Sequence, residues 1–157
     1  MYESFGRLKG KKVCGSTSGK YFGRLSDIIV NKGTNKIAGI VSEKDSFMFH
    51  KRFFKSSDIE SVDNLHVYVS GDGEKFSNDA KYQSVGNDIY RRNAVLSDGR
   101  EAGKIQNINL NLESGTITGF EIGSSIADDL LEGRKICRTR NTIKTYCGNV
   151  ILHDEPK

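Results

Sequence analysis

From Ile108 to Leu112 the chain alternates apolar and polar side chains without a break, as Ile108-Asn109-Leu110-Asn111-Leu112. That period of two sets one face of a β-strand on a core and the other in water. Ser114-Gly115 follows as a turn, and Thr118, Phe120 and Ile122 then alternate with Gly119 and Glu121 as the partner strand. The same pattern stands earlier in the chain, with Ile28 and Val30, a turn at Lys32-Gly33-Thr34-Asn35, and then Ala38 and Ile40. Ser18-Gly19 and Asp98-Gly99 are tight-turn dipeptides, and they predict a further strand upstream of each, around Lys12–Gly15 and Asn93–Leu96. A closing strand is predicted where Leu65, Val67 and Val69 alternate with His66 and Tyr68, and Asn149–Leu152 is its counterpart.

These patterns are two copies of one. Sliding the sequence by 80 residues brings Gly19 onto Gly99, Gly23 onto Gly103, Ile28 onto Ile108, Asn31 onto Asn111, Ile37 onto Ile117 and Gly39 onto Gly119. The run from Ser18/Asp98 to Glu43/Gly123 needs no gap. Chance identity arises on the order of one time in fifteen with ordinary residue usage, so the run indicates an internal duplication. The same slide sets Cys14 against Ala94, a position suited to a small buried side chain. The copies differ in the middle. The first has Phe47, Phe49, Phe53 and Phe54 among residues 45–55, whereas Ile126, Leu130 and Leu131 of the second predict a helical turn within residues 124–133. Residues 71–86 are rich in Gly, Asp, Asn, Ser and Lys, the composition of a hinge-like linker. Small multi-stranded units must hide their edges, which favours closure. The expectation is an all-β chain of two tandem small β-barrels, a first unit over 1–72, a linker over 73–86 and a second unit over 87–157.

The turn glycine, the second glycine four residues on, and the strands Gly23-Arg24-Leu25-Ser26-Asp27-Ile28 and Ile37-Ala38-Gly39-Ile40 resemble the PRC-barrel family. Ser57-Asp58-Ile59, followed by Leu65-His66-Val67-Tyr68-Val69, is similar to that family's closing segment. The second copy keeps the glycines, has Asn107 in place of the Asp, and carries Leu130-Leu131-Glu132-Gly133-Arg134-Lys135, which resembles small stand-alone members from spore-forming bacteria. The resemblance implies the fold shared by the cytoplasmic domain of the photosynthetic reaction-centre H subunit and the C-terminal domain of the ribosome maturation factor. It also implies a module that docks on other proteins, with no shared catalytic residues.

Composition narrows the picture. The 157 residues are 36% hydrophobic and 28% charged, with 17 glycines, which suits a folded, turn-rich chain. A net charge of +4 with both signs interspersed is too mild to argue for nucleic acid by itself. No window approaches the roughly 20 apolar residues of a membrane span, and residues 1–19 have no apolar h-region. Cys14, Cys137 and Cys147 are odd in number and lack CxxC spacing, so three free thiols are expected, as in a reducing compartment. A cytoplasmic protein is expected, or one held on a membrane only through a partner, without membrane insertion.

The segment richest in candidate chemistry is Phe47-Met48-Phe49-His50-Lys51-Arg52-Phe53-Phe54-Lys55. Aromatics interleaved with cations suit a protein-docking face or base stacking with phosphate neutralisation, and alternate phenylalanines also suit a barrel cap with solvated charges. The contact residues chosen are Phe47, Phe49, Lys51, Arg52, Phe53 and Lys55. His50, His66 and His153 lack ligand spacing, and no metal or cofactor is expected. Cys14 follows the lysines of residues 9–12, which can lower a thiol's pKa, yet no positioned base is visible. Gly15-Ser16-Thr17-Ser18-Gly19-Lys20 lacks the ending of a P-loop because Tyr21 follows. Arg134, Lys135, Arg138, Arg140 and Lys144 form a second basic cluster, balanced by Asp128, Asp129 and Glu132. The expected function is a non-catalytic module that binds or assembles a cytoplasmic protein complex. A ribosome- or RNA-associated factor is the alternative, an enzyme using Cys14 a third, and pairing with a second copy a further mode of association.

Overall fold

A computed structural model describes residues 1–44, 50–123, 133–153 and 156–157. Strands dominate. In the first half they are β1 (Tyr2–Ser4), β2 (Lys12–Gly15), β3 (Tyr21–Asn31), β4 (Ile37–Glu43), β5 (Lys51–Lys55), β6 (Ile59–Val62), β7 (His66–Val69) and β8 (Glu74–Lys75), with a helical turn, α1 (Phe5–Leu8), and a 3-10 turn, Ser56–Asp58. Then come β9 (Tyr82–Ser84), a π-helical turn Val85–Ile89, β10 (Asn93–Leu96), β11 (Glu101–Asn111), β12 (Thr116–Gly123), β13 (Lys135–Arg138), β14 (Lys144–Tyr146) and β15 (Asn149–Leu152).

Two sheets result, one ordered β6-β7-β2-β3-β4-β5-β8 and the other β13-β12-β11-β10-β15-β14. The long hairpins β3–β4 and β11–β12 carry the same registers, Ile28 opposite Ile40 and Ile108 opposite Phe120. The parallel pairs β2–β7 and β10–β15 also correspond, through Val13 with Val67 and Ala94 with Val150. The duplication read from the sequence is therefore built into both sheets. Among the described residues neither hydrogen-bonding path closes on itself, so these are open barrel-like sheets.

Each sheet borrows its last strand from the other repeat. β1 pairs with β11, and β9 pairs with the equivalent stretch of β3. The two arms correspond residue for residue, Tyr2 opposite Asn111 and Tyr82 opposite Asn31. The hairpin tips also exchange bonds: Ile37 N donates to Gly115 O and Ile117 N to Asn35 O, both at 2.8 Å. One contiguous core accordingly runs from Phe5, Leu8, Ile28 and Phe54 to Ile105, Ile108, Phe120 and Val150. Part of the composition-based linker over 73–86 lies in β8 and β9, each paired to the first sheet. A second unit begun at residue 87 leaves out β9 and Gly86, the counterparts of β1 and Gly6, and the sheets divide the chain across the repeat.

Two local expectations are corrected. Ala38 and Thr118 do not share a face with Ile40 and Phe120. A register shift carries Val30 opposite Ile37 and Leu110 opposite Ile117, and Ile37 and Ile117 are the buried residues. A β-bulge adds one residue, and with a period of two it changes the face of everything beyond it. The slide that set Cys14 against Ala94 also fails locally, because Ala94 corresponds to Val13, an offset of 81. The extra residue is in the π-helical turn, five residues where α1 has four. The helical turn expected within residues 124–133 falls outside the described residues, apart from Gly133.

The corrected offset pairs Gly10, φ +89°, with Arg91, φ +64°. Left-handed backbone is strain-free for glycine and costs an arginine about 1 kcal/mol. Arg91→Gly is therefore expected to raise stability slightly, by up to about 1 kcal/mol less the loss of the guanidinium's contact 5.1 Å from the Tyr90 ring. The urea midpoint measures it, and a fall of more than 1 kcal/mol would contradict the correspondence.

Candidate functional site

β5 carries the described part of the basic–aromatic segment. Phe47 and Phe49 lie outside the described residues. Lys51 and Lys55 are exposed and Arg52 is half-buried. Arg52 donates from Nη1 to the Asp72 carbonyl at 2.8 Å, with its guanidinium 5.7 Å from the Phe22 ring. Phe53 is only 4% exposed and packs with Ile29 and Val41 under Phe76 and Tyr82. A Cβ placed on Gly39 would lie 2.7 Å from the Phe53 ring, so the ring lies over this glycine of the neighbouring strand, diagonal to it in register. Phe54 faces the other way, fully buried in the main core and edge-on to Phe22 at 5.0 Å. Alternation along β5 thus turns its two described phenylalanines into packing residues, and leaves Lys51 and Lys55 as the side chains fully available at the surface.

The end of β5 opens into a cleft at the seam between the repeats, with a volume of about 690 Å³. Phe53, Lys55, Ser56 and Ile59 line its first-repeat wall, and Leu112 and Glu113 of the β11–β12 turn line the opposite one. The cleft is made possible by the hairpin-tip exchange, which brings the two turns side by side. Its lining combines apolar side chains such as Phe53, Ile59 and Leu112 with one cation, Lys55, and one carboxylate, Glu113, suited to recognising an extended segment by shape and charge.

Sequence reasoning named Asp27 only as part of a family pattern, yet Asp27 and Asn107 are the polar joints of the exchange. Asp27 Oδ1 accepts from Gly86 N at 2.9 Å, and Ser84 Oγ donates to Oδ2. Asn107 Oδ1 accepts from Gly6 N at 3.0 Å. Each also accepts from its own following amide, Ile28 N and Ile108 N. Burial pushes the Asp27 carboxyl above the usual range, opposed by the bonds from Ser84, Gly86 and Ile28. The glycines one residue into each helical turn were the signal: Gly6 and Gly86 stand 80 apart, as Asp27 and Asn107 do.

The other candidates are dispersed. His66 sits 3.3 Å from Asp63 Oδ1 and stacks on Tyr68, His153 meets the Thr142 hydroxyl at 3.2 Å, and His50 is exposed. Among the described residues no three His, Cys, Asp or Glu side chains form a group able to hold a metal. Cys14 is half-buried, Cys137 buried and Cys147 exposed, all as free thiols. In the Gly15–Lys20 turn, Gly15 N bonds Lys20 O and Gly19 N bonds Gly15 O, so these amides are turned inward into hairpin bonds. In the second basic cluster Arg134 pairs with Glu121 at 3.6 Å. No helix among the described residues is long and apolar enough to cross a membrane.

The geometry so far is that of a β-rich module made of two repeated sheets with exchanged arms. Residues 2–75 match the PRC-barrel domain family, and the chain carries a PRC-barrel domain there. That range ends at β8, the strand that completes the first sheet. A comparison with curated proteins found no match. PRC-barrels are in general a non-enzymatic domain type.

Proposed function

We propose that this chain is a non-catalytic protein-binding module that docks on a cytoplasmic complex through the seam between its repeats. The cleft of about 690 Å³ carries this reading, because both repeats contribute its walls and two of the residues chosen from sequence, Phe53 and Lys55, line it. Phe53 shapes the floor from within, while Lys55, with Lys51 further along β5, supplies charge at the surface. A partner segment crossing the seam would touch both repeats at once, with a geometry fixed by the exchanged arms. The three free thiols fit the reducing compartment proposed for it.

Affinity capture from a lysate of the native cell tests this, with and without nuclease, using wild type and Lys51→Glu/Lys55→Glu. Both lysines are exposed, so charge reversal leaves the fold intact. The expected result is a protein partner that survives nuclease and falls at least about tenfold with the variant, as loss of rim steering and one contact would produce. Ribosomal material removed by nuclease would replace this reading with the RNA-associated one.

A further inference from the structure

We propose that the end of the first sheet formed by residues 7–12, Arg24 and the 63–65 turn is a docking surface for anionic phospholipid bilayers, with Leu65 as its apolar anchor. This goes beyond the protein-docking reading and uses a different face. Arg7, Lys9, Lys11, Lys12 and Arg24 converge on a hollow of about 470 Å³ that no acidic side chain lines, and Asn64 and Leu65 complete it. Among the described residues none of the five cations forms an ion pair. Four of them, Arg7, Lys9, Lys12 and Arg24, are exposed. Mutual repulsion opposes such clustering, and a multiply charged anion relieves it.

Leu65 decides which anion. It is 68% exposed, and its backbone is pinned on both sides: its N–H donates to Asp63 Oδ1 at 2.9 Å, and its carbonyl accepts from Lys12 N at 2.9 Å. The ammonium of Lys11 donates to the Asp63 carbonyl and ties the turn to β2. The leucine is therefore held out into water by a preorganised turn. The scaffold does not require it, because the position two residues before Val150, equivalent to Val67, is Gly148 in the other repeat. A nucleic-acid backbone offers nothing for such a side chain, and the hollow has no aromatic ring on which a base would stack. At a bilayer surface the cations meet headgroup phosphates while the leucine reaches the acyl boundary just below.

The test is co-flotation with vesicles of phosphatidylcholine alone and of phosphatidylcholine mixed with phosphatidylglycerol, at salt on the order of 0.1 M and on the order of 1 M. The full chain is expected to float with the mixed vesicles only, and to be released at the higher salt. Lys9→Glu/Lys12→Glu should abolish flotation, and Leu65→Ser should weaken it about tenfold. Far-UV circular dichroism confirms that both variants are folded. Failure to float with anionic vesicles, equal flotation with neutral ones, or an unchanged Leu65→Ser variant would each overturn the proposal. Retention of the chain on single-stranded RNA, with no flotation, would overturn it in favour of nucleic acid.

Discussion

Phe5→Ala is expected to destabilise the whole protein by about 3–5 kcal/mol, a large share of the roughly 5–15 kcal/mol that holds an ordinary domain. The residue lies near the N-terminus in a four-residue helical turn, a location where truncations are usually harmless. Its side chain is nevertheless 1% exposed, edge-on to Tyr90 at 5.4 Å, and its turn packs on β11 of the opposite sheet. Removing the ring opens a cavity in the one core that both repeats share. Urea unfolding should therefore remain a single transition by far-UV circular dichroism and by tyrosine fluorescence, shifted to lower urea. Amide exchange should accelerate together at Ile108 and at Val67, one in each sheet. Two separate transitions, or a loss below about 1 kcal/mol, would show the arm to be a peripheral attachment and the repeats to be independent.

The ladders were legible in the sequence because period-two alternation and turn glycines report local backbone geometry. Lys12–Gly15 and Asn93–Leu96 fall where the turn dipeptides place them. What alternation cannot report is phase beyond a bulge, and this is why the pattern sets Thr118 on the core face that Ile117 occupies. Composition misled for residues 73–86, because short strands paired at a sheet margin need few apolar residues: Glu74 and Lys75 are exposed even within β8. The exchange of arms is a choice of partner between two sheets with matching central hairpins, and a pattern shared by both cannot encode which copy an arm joins. In the candidate site, the cations of β5 were legible as surface groups, but Phe53 was not legible as a floor residue. Its cover, Phe76 and Tyr82, comes from the stretch read as a linker. Leu65 illustrates the reverse case. It extends the alternation of Val67 and Val69, yet it precedes β7 and stands in water.

Asp27→Asn is expected to keep or increase stability at neutral pH, whereas Asp27→Ala should lose about 3 kcal/mol. The alanine leaves Gly86 N, Ile28 N and the Ser84 hydroxyl without their acceptor, and each unsatisfied, partly buried donor costs on the order of 1 kcal/mol or more. Asparagine retains an acceptor oxygen, and the protein already contains the experiment: Asn107 caps the other arm through Gly6 N at 3.0 Å and Ile108 N at 2.9 Å. The charge itself works against folding here. Burial raises the Asp27 carboxyl pKa in the folded state, and Asp88 adds to the rise. The folded chain thus binds this proton more tightly than the unfolded chain does. Its contribution is most favourable below the ordinary carboxylate value near about 4, declines as pH climbs through the raised folded pKa, and stays at the lower level above it. Asparagine does not titrate, so the difference in urea midpoint between Asp27→Asn and wild type should grow from low pH to neutral pH, then level off. Subtracting the two profiles cancels carboxylates common to both proteins, including Asp63 and Asp98, whose pKa values are lowered by backbone amides and shift acid stability in the opposite sense. An asparagine variant as weak as the alanine one would mean that the arm is held by the charge, and that Asp27 and Asn107 are not equivalent joints.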